Sequence, residues 1–168
     1  EDYNKVIELD PESGMAYQNR GMANHLLGRL AEAIEDFTKC IEFDSQEKEN
    51  YYYRGTAYAA MGEFQKAMDD FTRIIELDPS DKGAYFWRGM ALSMLDDENK
   101  AIKDFTKTIE LDDKYWPAYD QRGYVYRILG QYKNALNDYD KALELDPNNQ
   151  EIINDRNNLL EDHPELKS

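Results

Sequence analysis

The side chains in this sequence that could do chemistry are carboxylates, and they recur at regular intervals. Glu8, Glu42, Glu76, Glu110 and Glu144 are spaced by 34 residues, and Asp10, Asp44, Asp78, Asp112 and Asp146 follow the same spacing. Oxygen ligands bind calcium when several fall within a loop of about twelve residues. Here each column contributes one carboxylate per interval, so both read as solvated edges and not as metal loops. Acid–base catalysis needs a carboxylate set apart by its surroundings. With 35 acidic residues in a chain of 168, paired acids occur throughout and single out no site. His25 and His163 are the only histidines and Cys40 the only cysteine, which leaves no Cys/His cluster with metal spacing and no internal disulfide. Cys40 shares its column with Val6, Ile74, Thr108 and Ala142, so it is expected to be a small buried packing residue. No phosphate-cradling glycine loop or nucleophile elbow is present. The chain reads as noncatalytic, with no metal and no cofactor.

Two further ionic columns are as regular. Arg20, Arg54, Arg88, Arg122 and Arg156 form one, and Asp2, Asp36, Asp70, Asp104 and Asp138 the other. Pairing each aspartate with the arginine 18 residues on, from Asp2 with Arg20 to Asp138 with Arg156, leaves no member unmatched. The expectation is therefore a ladder of ion pairs between successive repeats, not a basic stripe for a ligand. The formal net charge of −15 opposes binding to phosphate backbones and favours neutral or basic partners. Nucleic acid is not expected among them.

The elements that carry these columns follow from the period. Arg20-Gly21, Arg54-Gly55, Arg88-Gly89 and Arg122-Gly123 are spaced by 34 residues without an insertion, the mark of a repeat architecture. Within one repeat Tyr17, Arg20, Gly21 and Asn24 lie on one helical stripe, and Leu30, Ala33, Ile34, Phe37, Cys40 and Ile41 lie on a second. Gly28 separates the two as a helix stop. Pro79 and Pro147 push the residues before them out of helical geometry and end second helices. Ser80 or Asp81, and Asn148 or Asn149, can cap the helices that follow. Gly21, Gly55, Gly89 and Gly123 fall inside helices, where glycine costs about 1 kcal/mol relative to alanine. Close approach of the paired helix is the expected reason, with Ala33, Ala67, Ala101 and Ala135 supplying a small facing surface.

These units resemble tetratricopeptide repeats. Tyr51, Arg54, Gly55, Tyr58, Ala67, Phe71 and Pro79 meet the family pattern, as do Tyr119, Arg122, Gly123, Tyr126, Ala135, Tyr139 and Pro147. Departures are local. Asn24 replaces the second aromatic, Ser45 and Asp113 replace the terminal proline, and Asp96 with Glu98 replaces the glycine and aromatic of the mid-repeat turn. The resemblance implies an all-α fold, a right-handed α-solenoid of antiparallel helix pairs. Its parts would be a second helix left from a truncated repeat (1–13), four repeats (14–47, 48–81, 82–115, 116–149) and a C-terminal capping helix with a tail (150–168). In that last segment Ile153, Arg156 and Leu160 continue the core columns. The first helix lacks a cap and offers Tyr3, Val6, Ile7 and Leu9 to a partner, which would be upstream repeats or another chain. No apolar run approaches the ~18 residues of a membrane span. The first ten residues lack the features of a signal peptide, but the sequence opens in mid-repeat, so the native N-terminus is expected upstream of Glu1 and the compartment is left unassigned.

The opposite stripe of the first helices is the candidate site. It holds Met15, Gln18, Asn19, Met22 and His25, with Leu26; Tyr52 and Tyr53; Phe86, Trp87, Met90 and Met94; and Asp120, Gln121, Tyr124 and Arg127. Of the stripe only Glu49, Asp120 and Arg127 are charged, although 33% of the chain is. In tetratricopeptide proteins the first helices line a concave surface, so the resemblance implies that this stripe is a groove. Crowding of neighbouring first helices would favour small and apolar residues there. A binding surface for a peptide segment would favour the aromatic and methionine cluster of Tyr52, Tyr53, Phe86, Trp87, Met90 and Met94. Family members that clamp chaperone carboxylates use lysine, asparagine and arginine in this groove. Only Asn19 resembles that set, so docking of that type is disfavoured. The functional expectation is a noncatalytic protein-interaction module, with a self-associating scaffold or a regulatory domain of a larger protein as alternatives.

Overall fold

The computed structural model describes residues 2–167. Among them are ten α-helices and no strand: α1 (Asp2–Leu9), α2 (Gly14–Leu26), α3 (Leu30–Phe43), α4 (Lys48–Ala60), α5 (Phe64–Leu77), α6 (Lys82–Met94), α7 (Glu98–Leu111), α8 (Trp116–Ile128), α9 (Tyr132–Leu145) and α10 (Gln150–Asp162), followed by a 3-10 turn at Pro164–Lys167. The chain divides into two compact units, Glu1–Ala84 and Tyr85–Ser168, with the division inside α6. In the first unit α2 pairs with α3 and α4 with α5, while α3 packs on α4 and α1 on α2. In the second, α8 pairs with α9 and packs on α7, and α10 packs on α9. None of these helices is long and apolar enough to cross a membrane.

The second helices hold the core because their apolar residues share one face. Ala33, Phe37 and Cys40 are buried on α3, Ala67, Phe71 and Ile74 on α5, and Ala135, Tyr139 and Ala142 on α9. Cys40 is packed as expected. Its Sγ lies 3.5 Å from the Gly14 carbonyl oxygen, and burial pushes its thiol up to about 11. The helix turns carry Gly28, Gly62 and Gly130 at φ of 73, 78 and 71°. Asp96 takes the same place at φ 56°, a left-handed conformation that aspartate tolerates better than most residues. Of the proposed caps, Asp81 Oδ1 accepts from the Ala84 N–H at 3.0 Å and Asn149 Oδ1 from the Ile152 N–H at 3.4 Å. Ser80 instead turns its N–H and hydroxyl to Asp78.

The mid-helix glycines answer to the close approach of the paired helix, which brings up an aromatic ring at each of them, with the Asp36 Cβ also close at Gly21 and the Ala135 carbonyl oxygen at Gly123. A Cβ on Gly55 would stand 3.1 Å from Phe71 Cζ, and one on Gly89 only 2.8 Å from Phe105 Cε1. The aspartate column is also more than a solvated edge. Asp10, Asp44, Asp78 and Asp112 each accept the backbone N–H two residues on, at 3.2, 2.8, 3.0 and 3.1 Å, which shapes the turn after each second helix. The glutamates two residues earlier pair with Lys5, Lys39, Arg73, Lys107 and Lys141 on exposed helix surface.

The arginine ladder is built differently from the expectation. Each aspartate pairs with the arginine of its own repeat. Arg20 reaches Asp36 at 2.6 Å, Arg54 Asp70 at 2.7 Å, Arg88 Asp104 at 2.7 Å and Arg122 Asp138 at 2.8 Å. The link to the preceding second helix comes from the other edge of the guanidinium. Nη1 of Arg20, Arg54 and Arg122 donates to Asn4, Thr38 and Thr106, each 16 residues earlier. Arg156 has no aspartate of its own repeat, and that same column supplies one, Asp140, 2.5 Å away. Asp2 is exposed, and its predicted pairing with Arg20 does not form. In α10 the buried residues are Ile152 and Leu159, one position before the predicted Ile153 and Leu160, which are half-buried. Among the described residues α10 is followed by the Pro164–Lys167 turn, with Leu166 packed against the core.

Candidate functional site

The two units each carry part of the predicted stripe. In the first, α2 and α4 bring its members together through rings and short hydrogen bonds. Tyr53 stacks on the buried Phe37 ring, with centroids 5.4 Å apart and planes at 15°. Tyr52 stands edge-on to Tyr53 and to Phe71 and is exposed. His25 lies edge-on to Tyr53, with Nε2 3.2 Å from Thr56 Oγ1. The Thr56 hydroxyl donates to the Tyr53 carbonyl at 2.9 Å. Gln18 donates to Asn50 at 3.3 Å. Met15 is exposed at the first turn of α2, and Asn19 and Met22 are half-buried. Thr56 lies on the predicted stripe without having been singled out, and Asn50 lies off it. Asn50 had a signal, since its column otherwise holds Ala16, Ala84 and Ala118; a buried amide among alanines marks a bond that needs it.

In the second unit Phe86 departs from the expectation of an exposed anchor. It is 7% exposed, and its ring meets Trp87, Phe105 and Tyr115 at centroid distances of 5.5, 5.8 and 5.3 Å. Tyr115 occupies the position that Asp81 and Asn149 use for capping and spreads a ring edge-on to Phe86 instead. Phe86 therefore supports Trp87 from below. Trp87 and Met90 are half-buried and Met94 is exposed. On α8 the Gln121 amide donates to Asp120 at 3.0 Å. Burial pushes the Asp120 carboxyl up to about 6, against that hydrogen bond and with the charges of Asp155 and Glu151 adding to the rise. The Arg127 guanidinium lies 5.4 Å above the exposed Tyr124 ring. Arg127 Nε and the Tyr139 hydroxyl are buried without a hydrogen-bond partner among the described residues. The Tyr139 column holds phenylalanine in the other complete repeats, so this hydroxyl is particular to the last one.

Chemically these faces are ring surfaces and adaptable thioethers with a few fixed polar groups, suited to gripping apolar side chains. Among the described residues no group of three or more His, Cys, Asp or Glu side chains could hold a metal ion.

Comparison with known proteins agrees with the repeat pattern. Family models described as tetratricopeptide repeat match residues 2–35, 49–81, 83–115 and 118–149. No curated protein matches the sequence significantly. Among solved structures, the chain is similar to MamA, with 29% identity over 89% of this chain and 87% of that one and a TM-score of 0.83. It is also similar to the first TPR of Spaghetti (RPAP3) bound to the HSP90 peptide SRMEEVD, with 29% identity over 70% and 94% of the two chains and a TM-score of 0.67. The Arabidopsis OM64 TPR domain is 29% identical over 68% and 94%, with a TM-score of 0.66.

Proposed function

Because this chain belongs to the tetratricopeptide repeat family, we propose that it is a noncatalytic protein-interaction module whose first-helix faces hold a peptide or protein segment. The observation that carries this reading is the exposure of Met15, Tyr52, Met94 and Tyr124 on a stripe where charge is scarce. A third of the chain is charged, so a stripe this poor in charge stands apart, and exposed aromatic and methionine side chains mark interaction surfaces. The similar RPAP3 domain, which is bound to a peptide, supports the class of ligand but not its chemistry. That peptide carries two glutamates and an aspartate, whereas this chain has a net charge of −15 and Arg127 is the only cation on its stripe. An apolar or basic segment fits better.

Selection from a peptide phage library tests the reading. The wild-type chain is expected to enrich segments with apolar or aromatic anchors, and a variant carrying Tyr52→Ser and Trp87→Ser to lose that enrichment with helicity unchanged. Equal enrichment by the variant would refute it. A second reading is favoured by α1, which buries no residue and leaves Tyr3, Val6 and Leu9 exposed while Ile7 is half-buried. This face would support self-association.

A further inference from the structure

The aromatic residues around the arginine column differ between repeats in a way that leaves a vacancy. In the second repeat the Arg54 guanidinium sits 5.7 Å from the Tyr51 ring and 5.9 Å from the Tyr58 ring. In the fourth, Arg122 sits 5.8 Å from Tyr119 and 5.9 Å from Tyr126. The first repeat keeps one ring, Tyr17, 5.4 Å from Arg20, but has Asn24 where the second would be. In its place is an open cavity of about 420 Å³, bordered by Tyr3, Arg20, Asn24, Arg29 and Glu32. The border locates the missing ring. Lys66, the counterpart of Glu32, stands 5.1 Å over the Tyr58 ring. The Arg20 side chain is accordingly 30% exposed, against 17% for Arg54 and 16% for Arg122. Asn24 does not refill the space, since its amide turns to Asp36 at 3.2 Å. The third repeat shows that an apolar side chain suffices to close this position, with Leu92 buried there.

We propose that this cavity receives an aromatic side chain from a partner polypeptide, which completes the pair of rings on Arg20. A guanidinium attracts the face of a ring, so an aromatic group is favoured over an aliphatic one of equal size. Glu32 and Glu35 beside the cavity disfavour an anionic aryl compound and welcome a ring flanked by basic residues. A volume of this order lies within the range of ligand pockets and exceeds a single ring, which leaves room for the peptide that carries it. The site lies off the first-helix stripe, so its occupancy is independent of the function proposed above.

The test follows the Arg20 Nε–H and Asn24 amide resonances by NMR during titration with p-cresol, with the peptide acetyl-Lys-Tyr-Lys-amide and with its leucine counterpart. Saturable shifts are expected with p-cresol and the tyrosine peptide, with the leucine peptide weaker by about tenfold. Asn24→Tyr, which fills the cavity from within, is expected to abolish them. Asn24→Leu, which copies the third repeat, serves the same purpose if the tyrosine variant does not fold. Absence of a saturable shift, equal binding of the leucine peptide, or unchanged binding by a folded Asn24→Leu variant would overturn the proposal. So would binding of p-cresol without binding of the tyrosine peptide, which would assign the cavity to a free aryl ligand.

Discussion

Arg54 joins three helices with one planar group. Its Nε and Nη2 donate to Asp70 at 2.9 and 2.7 Å, and Nη1 donates to Thr38 at 3.1 Å on the helix before its own. Burial nevertheless pushes the Asp70 and Asp138 carboxyls up, against the pull of Arg54 and Arg122, so these pairs fix register more than they add stability. Asp70→Ala is expected to cost about 3–5 kcal/mol, because it leaves a buried guanidinium uncompensated, and Thr38→Val about 1 kcal/mol. In chemical-denaturation cycles Arg54 should couple strongly to Asp70, whereas its coupling to Asp36 should be within about 0.5 kcal/mol of zero. A strong Asp36–Arg54 coupling would restore the ladder that charge counting predicts. That counting went astray because it considered only ions. Asn4, Thr38 and Thr106 make the inter-helix link without a formal charge, and only Asp140 shows the column as ionic. Asp120 gives a pH dependence. Its carboxyl is pushed up to about 6, above its ordinary value near 3.8. Its contribution to stability is therefore full below ~3.8 and is lost as pH rises through about 6. Asp120→Asn should exceed the wild type by about 1–2 kcal/mol near pH 8, allowing for partial exposure, and match it near pH 4. A pH-independent difference in urea midpoint would show that folding leaves the Asp120 carboxyl unshifted.

At the scale of the helix, the period and the turn residues made nearly every element legible. What the sequence did not reveal was which neighbour fills each gap, because that depends on how far a side chain reaches across a helix pair. The glycine column is expected to face a small surface, and it meets rings as well as the Ala135 backbone at Gly123. Phe86 lies on the outward stripe by spacing, and Tyr115 covers it from a capping position. Asn24 was visible as a missing aromatic, but the cavity it leaves could be seen only once Arg20 and Glu32 were placed around it. Gly89→Ala weighs two of these effects against each other. Alanine favours the helix by about 1 kcal/mol, but its Cβ would meet Phe105 at 2.8 Å, and overpacking costs about 1–3 kcal/mol. The expected outcome is a net loss of stability, read as a lower midpoint in thermal unfolding. Asp96→Gly should do the opposite, since Asp96 holds φ 56° where glycine meets no Cβ penalty; the expected gain is about 1 kcal/mol. A destabilised Asp96→Gly variant would mean that the aspartate side chain, and not the backbone conformation, matters at that turn.

For the chain as a whole, short-range packing and long-range charge oppose each other. Every helix pairing described within a unit joins elements close in sequence, so stability is approximately a sum over neighbours. Helix α1 has no buried residue and leaves Tyr3, Val6 and Leu9 exposed. Covering that face with a second copy would remove apolar surface from water, but it would also bring together two chains of net charge −15. Repulsion of this kind acts over about 10 Å at 0.1 M salt and about 3 Å at 1 M, while apolar burial is not weakened by screening. If α1 mediates self-association, the dimer should therefore be scarce at low ionic strength and accumulate as salt is added. Sedimentation velocity at about 0.02 and 0.5 M sodium chloride reads this directly, since those conditions move the Debye length from well beyond contact distance to well within it. Val6→Glu places a further charge in the centre of the face and should keep the protein monomeric at both concentrations. A wild type that is monomeric at both would exclude self-association through α1 and leave its exposed face to a different partner.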